Sequence, residues 1–476
     1  MRDIRYCAVI IAAVATSFVA TAGNDYSQGF FVVNEDWYGH QNSTINHLDP
    51  DNASGDYWSY RVFQAENPGC ELGCTAQHGA IHHGLIYIIS KQAKDPGASI
   101  SGGRITVAEA STMQMVYQCE CIDASGAVCD GRAFVGIDEH KGYISTSNGV
   151  WVFDIDAMQV TSQIEGTANP DASALYQGQC GSMVYTDGRV FVAHQSKGLL
   201  VIDAASDAVI AELPMDIVAD GAGIGSVVKA RDGMLYVSVA ADTQGLGDAY
   251  RALLRVNPAT LATEVLPLPD DVYPPANSWY AWTPDGFCAS ATDDALYWNG
   301  GESSWFAQSK VFRYDITTNQ ASLIVDFDND PDGWMLYGCS MRPHPVSGEL
   351  YMSLFHGFSD PTYIIRRCSS DGATIKDYPM ISNYWFPSIP VFHEAQTGGV
   401  DDVSQSHIQA ISLINNALRV CGHAGEMLSL RSLSGVVVAQ TTIDNDIYDY
   451  AIGDDIAAGI YIVTAGNQSR KVALYR

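Results

Sequence analysis

Short apolar runs recur along the chain at a similar spacing, and each follows a small or acidic turn. The series is QGFFVVNE from residue 28, HGLIYIIS from 83, KGYISTSN from 141, DGRVFVAH from 187, DGMLYVSV from 232, DDALYWNG from 293 and SGELYMSL from 347. These seven segments lie 45 to 61 residues apart, the room that four short antiparallel strands with variable loops need. After most of them comes a strand ending in Asp or Asn, a tight turn and a further strand, as in VWVFDIDAMQVTSQI and LLVIDAASDAVIAEL. Asp and Asn suit such turns because their short side chains bond the local backbone and tolerate its bends. Six of the seven are preceded by a polar or small-residue segment that predicts an innermost strand: AQHGAIHH, GRAFVGIDE, CGSMVYT, GSVVKAR, FCASAT and CSMRPHP.

The first of the seven has no such segment upstream, but NYWFPSIPVFHEA from residue 383 offers one at the far end. The pattern therefore predicts a ring of sheets closed by a composite unit, in which the N-terminal strand pairs with a strand near residue 390. Closure of that kind removes the exposed edges of an open array. After Ala395 the composition changes to QTGGVDDVSQSH, a Gly and Asp linker, and then to a separate set of short strands: LRVCGH, MLSLRSLSG, VVVAQTTI, YDYAIG, GIYIVTAG and KVALYR. The expected architecture is all-β. It consists of a seven-bladed β-propeller over residues 23–396, a linker over 397–407 and a small C-terminal immunoglobulin-like β-sandwich over 408–476.

The first 22 residues carry a basic start, the apolar run CAVIIAAVATSFVATA and a small-residue end at Ala20-Thr21-Ala22, the layout of a cleavable secretory signal peptide. No later stretch approaches the ~20 apolar residues of a membrane helix, so no transmembrane segment is expected. Of the 11 cysteines, Cys7 lies in the signal, and the even remainder can pair in an oxidising compartment. Cys70 with Cys74 and Cys121 with Cys129 are spaced for local bridges, and buried free thiols are the alternative. A formal charge of −29 argues against nucleic acid, which requires basic patches. An acidic surface of this kind can favour calcium or cationic ligands.

Two resemblances add to this. MLSLRSLSGVVV followed by AAGIYIVTAGNQSRKVALYR looks like the C-terminal sorting domain of proteins exported by the Bacteroidetes type IX secretion system, with Gly459, Tyr461, Lys471 and Val472 at the matching places. The resemblance implies that this domain is an address read by the type IX secretion machinery, and that the protein is secreted or held at the outer cell surface. FFVVNEDWYGHQNSTINHLDP resembles the start of the secreted Bacteroidetes seven-bladed YncE-like propellers through Asn34, Glu35, Gly39, Asn42 and Asp49. Where that family has Asn-Glu-Gly, this chain has Asn34-Glu35-Asp36. Some family members capture cobalamin at the cell surface, which implies a corrinoid as one candidate ligand. Those members are lipoproteins, and this chain has no anchoring cysteine after its apolar run.

No enzyme motif stands out. GAGIGS at 221–226 lacks the helix that a phosphate loop must open. His78, His82 and His83 have helical spacing, but on a strand residues four apart are ~13 Å separated, so His78 reads as a channel or core histidine. DFDNDPDGW places Asp328, Asp330 and Asp332 at alternate positions before Gly333, as a calcium loop does, although Cys339 stands where the twelfth-position Glu belongs. A solvated turn is the alternative. Aromatic residues gather in loops at one face: Trp279, Tyr280 and Trp282, then Trp334 and Tyr337, then Tyr384, Trp385 and Phe386, with Trp37 and Tyr38 nearby and Trp298 and Trp305 adding to them. Such rings stack on a planar cofactor or a sugar, or wedge between sheets as core. Asn34, Glu35, Gln92, His194, Gln195 and Lys197 are the expected polar contacts. The sequence thus reads as an exported, non-catalytic binding protein for a small molecule, a corrinoid or a glycan. A scaffold for a surface protein partner and a propeller lyase or lactonase are the alternatives.

Overall fold

Near-continuous apolar runs form the middle strands of each sheet because those strands are covered on both faces. In one sheet, Arg189–His194 and Gly198–Asp203 are buried almost throughout, whereas the outer strand Ala208–Leu213 alternates exposed and half-buried positions. The turn before Arg189 places Asp187 at φ 51° and Gly188 at φ 74°, the left-handed pair that a tight hairpin demands.

The structure is a computed structural model. It describes residues 24–170, 176–243, 250–275, 278–279, 282–301 and 307–393, and further on 410–414, 417–421, 425–432, 436–444, 447–453, 456–457, 459–465 and 468–474. The expected signal peptide and linker lie outside the described residues. The chain divides into two compact units, Met1–Ala395 and Gln396–Arg476.

The protein is all-β, built of antiparallel sheets that are mostly four-stranded. Among the described residues the first unit holds seven, made of strands consecutive in sequence except in the first and except that Ala307–Gln308 leaves its neighbours to join the sheet led by Met335–Pro343. That first sheet takes its leading strand from the far end: Phe30–Asn34 pairs with Pro387–Phe392, with Phe31 opposite Val391 and Val33 opposite Ile389. The leading strands of the other sheets are Cys74–His82, Gly131–Gly136, Cys180–Thr186, Gly223–Lys229, Cys288–Ala289 and Met335–Pro343. Each packs against the next, and Pro387–Phe392 packs against both Met335–Pro343 and Cys74–His82, so the order is cyclic. The hydroxyl of Ser388 sits between the carbonyl oxygens of Val33 (3.0 Å) and Ala76 (2.8 Å), tying the closing strand to two sheets.

The apolar core lies between neighbouring sheets. Phe31, Val33 and Ile45 pack with Ile86, Ile88, Ile389 and Val391, and Tyr87 stacks on Phe134 at 3.8 Å and 4°. Ala307–Gln308 adds a fifth strand to the sheet led by Met335–Pro343, a pairing that no apolar run in the sequence announces. The second unit has a three-stranded and a four-stranded sheet around Leu418, Leu428, Leu430, Tyr461 and Val463. Its last hairpin sets Gly459 opposite Leu474 and Tyr461 opposite Val472.

Phe31 is fully buried and touches the rings of Tyr26, His47 and His393. Phe31→Ala is expected to lower the unfolding free energy by about 3–5 kcal/mol, measured by urea denaturation; a loss below ~1 kcal/mol would show that the joined ends contribute little to stability.

Candidate functional site

Where the leading strands crowd together they enclose a cavity of about 360 Å³, to which every one of the seven sheets contributes. Gln77, His78, Arg132, Ser182, Ser226, Lys229, Asp285 and Arg342 supply its polar lining. Asp285 is buried, and its carboxylate accepts bonds from the hydroxyls of Ser226 and Ser238 and from the backbone N–H of Phe287. Burial raises its pKa, and those bonds oppose the rise. Arg132 donates to Gln179 Oε1 at 3.1 and 2.7 Å and to the Gly131 carbonyl at 3.0 Å, with its guanidinium 5.8 Å from the ring of Trp282. Its burial lowers its pKa to about 10. A Cβ on Gly181 would come within 2.5 Å of the Trp282 ring, so only glycine admits that indole so close to the axis.

At the end where the second strands finish, a buried acidic pair underlies the surface. Glu35 accepts from Gln77 Nε2 at 2.5 Å, and the Tyr337 hydroxyl lies 3.5 Å from its other oxygen. Burial raises the Glu35 pKa while the charge of Lys91 opposes the rise; burial lowers Lys91 to about 8. Asp36 adopts φ 59°, the left-handed region that Gly, Asn and Asp tolerate. Aspartate is therefore one of the few non-glycine residues this position accepts without strain. Its carboxylate accepts from Gln41 and from Thr44 Oγ1 (2.6 Å), and burial pushes its pKa up to about 8.

Over this pair lie exposed rings. Trp37 stacks on His40 at 3.7 Å and packs at a tilt against Tyr384 at 4.3 Å, and the Tyr384 hydroxyl donates to the Ser359 carbonyl. Beside them Phe358 stacks on Phe386 at 5.8 Å, with Tyr337 edge-on to both. Tyr38 is 60% exposed, Phe358 46% and Trp37 39%. Two backbone bonds place this platform, from Glu35 N–H to the Phe386 carbonyl and from Asp36 N–H to the Trp385 carbonyl.

Of the expected stacking residues, Trp37, Tyr38 and Tyr384 are at the surface. Trp279, Trp282, Trp334 and Trp385 are instead buried. Trp279 packs on Trp282 and donates to the Ile224 carbonyl, Trp334 stacks on His356, and Trp385 stacks on Tyr60 and donates to the Ile381 carbonyl. They wedge between sheets, and of the four Trp282 borders the axial cavity. Tyr280 and Trp305 lie outside the described residues.

Among the polar residues, Asn34 is buried and bonds Thr44, next to Glu35. The other expected contacts are elsewhere: Gln92 pairs in register with Cys74, His194 and Gln195 are buried in a different sheet, and Lys197 is engaged with Glu212 and the Gly166 carbonyl. Carboxylates of the expected calcium loop have partners within the protein. Asp328 pairs with Lys310, Asp330 lies 3.7 Å from Arg366, and Asp332 N–H caps Asp330. No described group of three or more His, Cys, Asp or Glu is placed to hold a metal. Cys70, Cys74, Cys121 and Cys129 are free thiols; Cys74 contacts Thr75 and Asp95, and Cys129 contacts Thr146. Sequence reasoning missed Gln77, Lys91, Arg132 and Arg342. A lone cation in an otherwise small or polar innermost strand, GRAFVG and CSMRP, is the signal that marks two of them.

An exposed aspartate titrates at 3.8 and Asp36 in the fold at about 8, so the folded state retains a proton that the unfolded chain has released. Stability from this group therefore falls as pH rises from about 4 to about 8. Asp36→Asn, which keeps the left-handed backbone, is expected to flatten that slope in urea melts at pH 5 and pH 8, and an unchanged slope would show the carboxylate ionised at neutral pH.

No curated protein matches the chain. Among solved structures it is similar to PorZ, an essential bacterial surface component of the type-IX secretion system of Porphyromonas gingivalis, at 12% identity over 92% of this chain and 63% of that one, with a TM-score of 0.47. It is also similar to the extracellular domain of BT4673 from B. thetaiotaomicron, at 14% identity over 84% and 51% of the two chains and a TM-score of 0.44. A third is the computationally designed Ika8 protein, at 11% identity over 84% and 96% and a TM-score of 0.37. No described helix is long and apolar enough to cross a membrane. A family model described as Domain of unknown function (DUF5074) matches residues 28–393, and the chain belongs to that family.

Proposed function

We propose that the protein is an exported binding protein that captures a small molecule, a corrinoid or a glycan, on the aromatic platform of Trp37, Tyr38, Tyr384 and Phe358. In this reading the seven sheets are the blades of a seven-bladed β-propeller, and the second unit is an immunoglobulin-like sandwich that serves as a type IX sorting domain. The exposed rings carry the proposal, because flat amphipathic groups over a hydrogen-bonded carboxyl pair are the means by which a site grips planar or sugar surfaces. The carboxyls of Glu35 and Asp36 are occupied by protein donors, which favours binding over acid–base catalysis. A surface protein partner is the second reading, favoured by the exposure of Tyr38 and Phe358.

Titration of the full chain with cyanocobalamin and with a panel of oligosaccharides distinguishes the two ligand classes. Binding that Trp37→Ala weakens at least tenfold, about 1.4 kcal/mol, is the expected result; no heat from either class at ~100 μM would remove small-molecule capture. Removal of residues 408–476 is expected to abolish surface delivery while leaving the melting of the first unit unchanged, and normal delivery of the shortened chain would end the sorting role.

A further inference from the structure

The chain has 54 acidic and 25 basic residues, and several of its surface cations meet carboxylates directly. Arg366 meets Asp377 at 2.7 Å, Arg367 meets Glu349 at 2.8 Å, and Arg231 meets Asp294 at 3.1 Å. The axial cavity differs from these places. Arg132, Lys229 and Arg342 all line it, and none of them forms an ion pair among the described residues. The one carboxylate in the lining, Asp285, is already occupied by two hydroxyls and a backbone N–H. Arg342 spends one nitrogen, Nη1, on the carbonyls of Met341 (2.7 Å) and Cys339 (3.3 Å). These bonds fix the plane of the guanidinium, which also lies within reach of the Cys288 thiol and whose charge acts on Asp285.

We propose that this cavity binds a small oxyanion, a carboxylate or phosphoryl group, with Arg342 as the anchor and Lys229 at the mouth. A guanidinium fork matches two oxygens of either group. Three cations that share a partly desolvated cavity with a single carboxylate need a further counter-charge, and a ligand supplies it. A cavity of about 360 Å³ falls in the range of small-molecule sites. Lys229, exposed at the end of its strand, attracts an anion through the field of an otherwise negative molecule. The cavity site is separate from the aromatic platform and stands or falls without it.

The test uses the full chain, melted and titrated with inorganic phosphate and with citrate, each against sodium chloride at equal ionic strength. A saturable rise in melting temperature is expected with at least one of them, phosphate alone marking a phosphoryl ligand and citrate alone a carboxylate. Arg342→Gln is expected to weaken that binding at least tenfold. Lys229→Gln, at an exposed position that the fold does not need, is expected to weaken it two- to fivefold and to reduce its salt dependence. No rise beyond that of chloride up to ~10 mM ligand would overturn the proposal. So would unchanged affinity in Lys229→Gln together with either Arg342→Gln or, should that variant fail to fold, Arg342→Lys.

Discussion

The pairing of Phe30–Asn34 with Pro387–Phe392 is the contact on which the first unit depends. Without it the first sheet lacks its leading strand, the sheet led by Met335–Pro343 loses a neighbour, and the backbone groups of Phe30–Asn34 stand as an open edge. It joins segments more than 350 residues apart in sequence, so a large loop-closure entropy opposes it. What offsets that cost is packing on both faces of the joined strands: Phe31 and Val33 on one side with Ile389 and Val391, and Phe30 and Val32 on the other with Tyr351, Ile365 and Tyr378.

The platform is a by-product of that closure. Backbone bonds from Glu35 and Asp36 to the carbonyls of Phe386 and Trp385 prolong the pairing past the end of the sheet. Trp37 is thereby brought against Tyr384, and Glu35 beneath Tyr337. No segment of the chain carries this surface alone. Its rings come from the first and last strands and from the 355–359 loop, and local stability at the seam decides whether they meet.

The repeat was readable because two kinds of signal agree: apolar middle strands that are covered on both faces, and turn residues such as Asp187-Gly188 that accept positive φ. The closing strand was readable by subtraction, since one sheet lacked a partner. The site was harder to read for a physical reason. A tryptophan that stacks on a ligand and one that wedges between sheets have the same composition and flanks, and only the neighbour that receives its N–H, Ile224 for Trp279 or Ile381 for Trp385, separates them. Asp328, Asp330 and Asp332 have calcium spacing, but Lys310 and Arg366 reach them from other strands, and such long-range partners leave no mark on the local sequence. Pairing of the cysteines fails for the same reason, because burial of Cys74 and Cys129 beside hydroxyls is a tertiary fact.

Gln77 connects the two candidate sites. Its amide donates to Glu35 beneath the platform, and the same residue lines the axial cavity with His78 and Arg342. Burial shifts Glu35 and Lys91 in opposite senses, and each one's charge opposes the other's shift. Such a pair tolerates burial only while both members are present. His78, whose pKa burial lowers to about 4 with the nearby Arg342 charge adding to the effect, stays neutral and so adds no further cation to the cavity at neutral pH. The buried charges along the axis are therefore unevenly balanced, with Glu35 and Lys91 opposing each other beneath the rings and two guanidinium groups sharing the cavity with the one carboxylate of Asp285. Seven leading strands that must approach one another leave room for few side chains, and the polar ones that remain are either fully satisfied by neighbours, as Asp285 is, or left with donors that only a ligand or solvent can use.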